Sequence, residues 1–227
     1  MADDDSMAPK EPQMSPTQRQ QIGSWLDGPM WNMPPLRRNN VNLNPQPGFV
    51  PAPMPQLPKL VMKAIIVPGE KTSEGVLVEA IALPWHDIIE EVLKDPSAAF
   101  QIPPRKWEEI IAGAYKKAGF DEVTLTPRSG DLGRDVVAIK RAHGIVRVID
   151  QVKAFAPDHL VTADDVRALM GVLHLDGASK GFVTTTSDFA PMIKTDPLIW
   201  PLMPARLGLI NGVELRTWLE RLSRDGS

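Results

Sequence analysis

Two β-rich runs, "DVVAIK" at 135–140 and "IVRVIDQVK" at 145–153, are separated by only four residues, "RAHG". A connection this short, with a glycine in it, leaves an antiparallel hairpin as the natural outcome. Side chains alternate across such a ladder, so a one-residue change of register exchanges the two faces. If "RAHG" is the whole turn, Lys140 lies opposite Ile145 and Asp135 opposite Asp150. One more loop residue, or a bulge, places Asp135 opposite Gln151. In either register Asp135 falls within a residue of the Gln-Val-Lys triplet that ends the second run. Polar groups therefore gather at the open end of the hairpin, away from the turn.

The elements around this hairpin define an α/β domain. "PPRKWEEIIAGAYKKAGF" reads as a helix, with prolines leading in and an apolar stripe of Trp107, Ile110, Ile111, Ala114 and Ala118. "EVTLTP" is a short alternating strand. "TADDVRALMGVLHL" is a helix in which Thr162 and Asp165 have capping-box spacing, with Val166, Leu169, Met170 and Leu173 inward. "GFVTTT" is a further strand, "RLGLI" one more, and Asn211 caps a final helix, "GVELRTWLERL". The order predicts a mixed β-sheet flanked by helices, unlike a doubly wound Rossmann pattern. Upstream, β-rich runs at 60–67 and 75–83 flank "PGEKTSEG", a loop or hairpin turn, and "LPWHDIIEEVLKDP" reads as a helix ended by Pro96.

Of the chain's 23 prolines, 12 precede residue 60. Such a stretch buries little apolar area and favours extended, solvated backbone. The expected organisation is a proline-rich, largely disordered N-terminal arm at 1–58, an accessory hairpin plus helix at 59–102, a catalytic domain at 103–222 and a tail at 223–227. Trp25 and Trp31 within the arm are either exposed residues of a flexible tail or a docking segment for the chain's own domain or a partner protein.

Several function classes are excluded or disfavoured. With no cysteine among 227 residues there are no disulfides, thiolate metal sites or cysteine nucleophiles, which suits a reducing compartment and a cytoplasmic location. No apolar run approaches the ~18–20 residues that span a bilayer, so no membrane partner is expected. The first residues, "MADDDSMAPKEPQ", lack the features of a signal peptide. The four histidines show no zinc-site spacing, and no G-x-x-x-x-G-K-[ST] phosphate loop occurs. At a net charge of −3, nucleic acid would have to meet a local basic surface, or metal ions that offset repulsion between carboxylate and phosphate.

The open end of the hairpin offers such an arrangement. Gln151 and Lys153 are two apart and share a sheet face, while Val152 points to the other side. An aspartate, an amide oxygen and an ammonium at one sheet edge suit a hard divalent cation. Asp135 would be a direct ligand, Gln151 Oε1 a neutral second ligand and the Val152 carbonyl a third. Lys153 would orient or deprotonate a water and offset charge developing at phosphorus. The competing reading is a Lys–Asp surface pair at the end of a hairpin.

"TPRSGDLGRDVVAIK…IDQVKAF" followed by "GVLHLDGASKGFVTTTSDF" resembles the catalytic domain of Mrr-like restriction endonucleases, within the PD-(D/E)xK nuclease superfamily and its Gln-x-Lys branch. The resemblance spans roughly 103–222 and rests on several motifs in order rather than on any one of them. It implies a restriction-endonuclease-like fold, with Asp135 the principal metal ligand, Gln151 the second and Lys153 the catalytic lysine. It adds Glu108, the acid directly after the aromatic Trp107 on the preceding helix, as a holder of water or of a second metal. Glu109, one step round, is expected to face solvent. Mg²⁺ is the implied cofactor, with Mn²⁺ as a substitute.

Neighbouring residues have two readings each. Asp131 either caps the glycine-rich turn "SGDLGRD" or contacts metal, and Arg128 and Arg134 either bind phosphate or, for Arg134, brace a carboxylate. The resemblance places Lys180, Thr185, Thr186 and Ser187 near the end of a strand close to the site, as candidate DNA-backbone contacts. Two departures stand out: neither the proline-rich arm nor the 60–95 segment reads as the winged helix that commonly precedes such a domain, and the prolines of "SDFAPMIKTDPLIWPLMPARLGLING" should interrupt the helix expected there. The implied function is a metal-dependent endodeoxyribonuclease of restriction type, dimeric if it cuts duplex DNA. The alternative is a non-catalytic DNA-binding or scaffold protein that keeps the fold.

Overall fold

The computed structural model describes residues 57–127 and 133–224, all within the unit Val50–Ser227. Residues 1–56 of the expected arm, with Trp25 and Trp31, lie outside the described residues, as do 128–132 and residues 225–227 of the expected tail. The described residues form seven strands: β1 (Ile66–Lys71), β2 (Val76–Ile81), β3 (Glu122–Leu125), β4 (Val136–Arg141), β5 (Ile145–Lys153), β6 (Lys180–Thr185) and β7 (Leu207–Ile210). They join in one sheet in the order of the chain, antiparallel from β1 to β5 and parallel from β5 to β7. The helices are α1 (Leu57–Leu60, a single turn), α2 (Leu83–Lys94), α3 (Pro104–Lys117), α4 (Ala163–Asp176) and α5 (Gly212–Arg224).

Helices cover both faces because both faces of the central strands are apolar. On one side α3 lays Trp107, Ile110, Ile111, Ala114 and Tyr115 against the sheet. Around it pack α2, through Trp85, Ile88, Ile89 and Val92, and α5, through Leu215, Trp218 and Leu219. The Trp85 indole fits because position 113 is glycine, and its Nε1–H donates to the Ile110 carbonyl at 3.0 Å. On the other side Val137 and Ile149 of the hairpin meet Val166, Leu169 and Leu173 of α4. The same core takes in Ile193 and Ile199 from the proline-containing segment after β6. That segment forms two short 3-10 turns, Ile193–Thr195 and Trp200–Leu202, in place of the helix its prolines interrupt.

Local expectations were met where the signals were chemical. Thr162 and Asp165 form a reciprocal capping box at the start of α4, and the Asn211 side chain accepts the N–H groups of Val213 and Glu214 at the start of α5. Three corrections follow. The expected strand at 60–67 is replaced by the α1 turn, with the strand moved to Ile66–Lys71, through Pro68 and Gly69. Proline is tolerated there because β1 is an edge strand, and its pairing with β2 shifts register on either side of Pro68. Leu57, assigned to the arm, is buried, so folded structure begins before residue 59. Finally, the segment 59–102 supplies two strands of the same sheet, through the pairing of β2 with β3, and its helix packs on α5.

Candidate active site

The β4–β5 hairpin takes the second of the two registers considered. From Val136 to Arg141 the residues follow it: Arg141 pairs with Ile145 across a three-residue loop, and Val136 pairs with Asp150. The Asp135 N–H donates to the Asp150 carbonyl at 2.9 Å, and its Oδ2 accepts the Val152 N–H at 2.7 Å. Asp135 is thereby fixed at the mouth of the strand pair, its carboxylate on the amide that lies between Gln151 and Lys153 in the chain. The chain enters β4 through Gly133, whose φ is +79°, and a Cβ added there would stand 2.9 Å from Gln151 Nε2. Only glycine allows both that backbone conformation and that approach.

Gln151 is buried, and its Oε1 has no hydrogen-bond partner among the described residues. A buried amide oxygen left without a donor costs about 1–3 kcal/mol. Beside a carboxylate, such an oxygen is the type of group that a hard cation satisfies. Among the described residues no three His, Cys, Asp or Glu side chains cluster in a metal-binding arrangement. A cation here would therefore draw on the mixed oxygen set of Asp135, Gln151 and a backbone carbonyl such as that of Val152, and these residues fit it. Lys153 Nζ lies 3.0 Å from Asp165 Oδ1, and Asp165 is itself held by the Thr162 N–H and hydroxyl.

Glu108 sits on α3 and accepts a hydrogen bond from Arg105 Nη1, which also donates to the Thr126 carbonyl at 3.0 Å. Thr126 in turn donates to the Asp135 carbonyl from its N–H and from its Oγ1, each at 3.1 Å. Glu108 is thus connected to Asp135 through Arg105 and Thr126. Glu109, expected to face solvent, instead pairs with Lys106 at 2.8 Å, both side chains being mostly buried.

Two acids escaped the sequence reading as site residues. Asp150 is fully buried beneath the site and accepts the Tyr115 and Thr184 hydroxyls on Oδ2, each at 2.9 Å. Its Oδ1 has no partner among the described residues. Burial pushes its carboxyl up to about 8, and the nearby charge of Asp135 acts in the same direction. Burial and the Asp150 charge together hold the Tyr115 hydroxyl well above its ordinary value. An acid amid the apolar residues of "IVRVIDQVK" was the available signal. Asp165 was recognised only as a capping residue, yet it is the ion-pair partner of Lys153.

The candidate DNA contacts divide. Arg128 and Asp131 lie outside the described residues. Arg134 braces carboxylates: its Nη1 hydrogen-bonds Asp176 Oδ2 and lies 3.9 Å from Glu74 Oε1. The hydroxyls of Thr185, Thr186 and Ser187 turn inward to the carbonyls of Lys153, Phe155 and Pro157, and so fasten the chain leaving β5. Lys180 is placed at the wrong end of its strand for the proposed contact. It pairs with Val148, five residues before the Thr185–Lys153 pair, or about 17 Å along the strand. It is also buried over the Phe182 ring, and that burial lowers its ammonium to about 8.

Comparison with known proteins follows from this architecture. The family described as restriction endonuclease (Mrr_cat) matches residues 100–219, which include β3 to β7, α3 and α4. Two solved structures are similar. One is the MspJI restriction endonuclease in complex with a 27-mer oligonucleotide, at 16% identity and a TM-score of 0.41, covering 63% of this chain and 36% of that one. The other is the DNA modification-dependent restriction endonuclease AspBHI, at 17% identity and a TM-score of 0.42, covering 64% and 41%. This chain thus spans well under half the length of either. No match was found among curated proteins. The match over 100–219 covers more than half of the chain, which belongs to the Mrr_cat restriction endonuclease family.

Proposed function

We propose that this chain is a metal-dependent endodeoxyribonuclease of restriction type, which hydrolyses DNA phosphodiester bonds at the open end of the β4–β5 hairpin. The observation that carries this reading is the Asp135 carboxylate on the Val152 N–H, between Lys153 and Gln151, whose buried Oε1 lacks a partner among the described residues. Mg²⁺, or Mn²⁺ in its place, would bind Asp135, Gln151 Oε1 and the Val152 carbonyl, with Glu108 holding water or a second ion, and would supply Lewis-acid stabilisation of charge at phosphorus.

The protein's own contribution is positional. Asp135 is held by its neighbours' backbone, so its carboxylate needs no reorganisation when substrate arrives. Asp165 keeps the Lys153 ammonium at the same sheet edge. There the Lys153 ammonium orients an attacking water, whose proton passes to solvent, and faces the developing negative charge. Cutting both strands of a duplex requires two such sites, which a homodimer supplies. A reducing compartment such as the cytoplasm suits a chain without cysteine. Among the described residues no helix is long and apolar enough to cross a membrane.

Supercoiled plasmid, methylated and unmethylated, incubated with purified protein and Mg²⁺ or Mn²⁺ tests this reading. Nicking by the wild type, abolished by EDTA and by Asp135→Ala and Lys153→Ala, is expected. Nicking that persists in both variants would overturn the site. A wild type that retards DNA in a gel but never cuts it would favour a binding module that keeps the nuclease fold.

A further inference from the structure

The Asp135 segment is tied to a part of the chain that lies outside the matched family region. Arg134, immediately before Asp135, hydrogen-bonds Asp176 at the end of α4. Arg147 of β5 reaches the same carboxylate through Nε at 2.6 Å and Nη2 at 3.1 Å. It also takes Glu74, between β1 and β2, through Nη2 at 2.5 Å and Nη1 at 3.2 Å. Two guanidinium groups and two carboxylates thus form a neutral, interlocked cluster. The Asp176 side chain is only 4% exposed and sits at a helix C-terminus, where the helix dipole disfavours an anion. It is tolerated because both arginines converge on it, and the interaction holds its carboxyl below the ordinary aspartate value. Glu74 completes the balance: without it, two cations would share one buried anion.

We propose that Glu74 and Asp176 are positioning residues of the active site, which hold Arg134 and Arg147 together and so fix the entry of the chain into β4 at Asp135. The β1–β2 hairpin, which precedes the matched region, would then be part of the catalytic apparatus rather than an appended edge. The inference rests on reading Asp135 as the principal acid of a nuclease site. The mechanism is geometric: Arg134 shares its peptide bond with Asp135, and Thr126 Oγ1 bonds the carbonyls of both. A displacement of Arg134 is passed directly to the carboxylate.

The test uses the full-length protein carrying Glu74→Gln, which removes a charge from a partly exposed position while preserving shape, and Asp176→Asn as a stronger variant. Glu220→Gln, which breaks the exposed pair with Arg224 on α5, is the control. Amide exchange is followed in peptides covering 126–136 and, separately, β6 and β7. Cleavage is followed as kcat and as DNA affinity. In Glu74→Gln, exchange within 126–136 is expected to rise about tenfold, with β6, β7 and the control unchanged, and kcat to fall severalfold at unaltered DNA affinity. Unchanged exchange in 126–136, or a uniform rise across the sheet, overturns the proposal even if Asp176→Asn fails to fold. Faster exchange confined to 126–136 with undiminished cleavage would uphold the clamp at the backbone but overturn its catalytic role; the assignment of Asp135 stands or falls separately, on Asp135→Ala.

Discussion

The buried Asp150 should make the stability of this protein fall as pH rises through neutrality. Its carboxyl stands at about 8 in the folded protein against an ordinary value of 3.8, chiefly because it is removed from solvent. Between those values the native state holds a proton that the unfolded state has released. Rising pH therefore favours unfolding, and this contribution, complete below the lower value, is lost as pH passes the upper one. One such proton is worth about 1.36 kcal/mol per pH unit, so Asp150 contributes a loss of roughly 4 kcal/mol between about pH 5 and about pH 8. Oδ2 accepts two hydroxyls and Oδ1 has no partner among the described residues, so the proton belongs on Oδ1. Asp150→Asn keeps the shape and the acceptor and removes the titration. Urea denaturation in EDTA at the two pH values, on wild type and variant, isolates the effect from other titrating groups. The wild type should lose about 4 kcal/mol more than the variant. The same loss in both would refute the reasoning, because Asp150 would then be ionised in the native protein throughout.

Two further predictions follow from close approaches. Gly133→Ala imposes a left-handed backbone on alanine and drives its Cβ to 2.9 Å from Gln151 Nε2. It should cost about 1–2 kcal/mol in denaturant unfolding and reduce cleavage more than that loss of folded protein explains; a variant with wild-type cleavage would show that the Gln151 side chain is not needed where it stands. Gly113→Ala places a Cβ 2.7 Å from Trp85 Cδ1 and Nε1. Overpacking of that kind should lower stability by about 1–3 kcal/mol with no change in DNA affinity, as calorimetry and gel retardation would show.

Much of this architecture is legible in the sequence because the deciding signals are local. Alternation in "DVVAIK" and "IVRVIDQVK", together with a short loop, specifies the hairpin, and Thr162, Asp165 and Asn211 mark helix starts through their own hydrogen bonds. The register remained open by one residue, because a count cannot tell whether Arg141 belongs to the loop or pairs with Ile145. The β1 strand was misplaced because Pro68 and Gly69 read as a turn, whereas an edge strand accommodates both. Lys180 was misjudged because composition does not say which end of a parallel strand meets the site. The Lys153–Asp165 pair and the Arg134, Arg147, Glu74 and Asp176 cluster join residues far apart in the chain. No local pattern announces them: the packing of α4 on the hairpin brings in Asp165 and Asp176, and the β1–β2 connection brings in Glu74.

The central claim is that Asp135 and Gln151 form a site for a divalent cation, and calorimetric titration with Mn²⁺ tests it most directly, without requiring a DNA substrate. Wild-type protein should bind the ion, Gln151→Leu should bind it more weakly, and Asp135→Asn should lose the binding while unfolding normally in urea. Equal Mn²⁺ affinity in all three proteins would contradict the account and leave the buried Gln151 oxygen without a role.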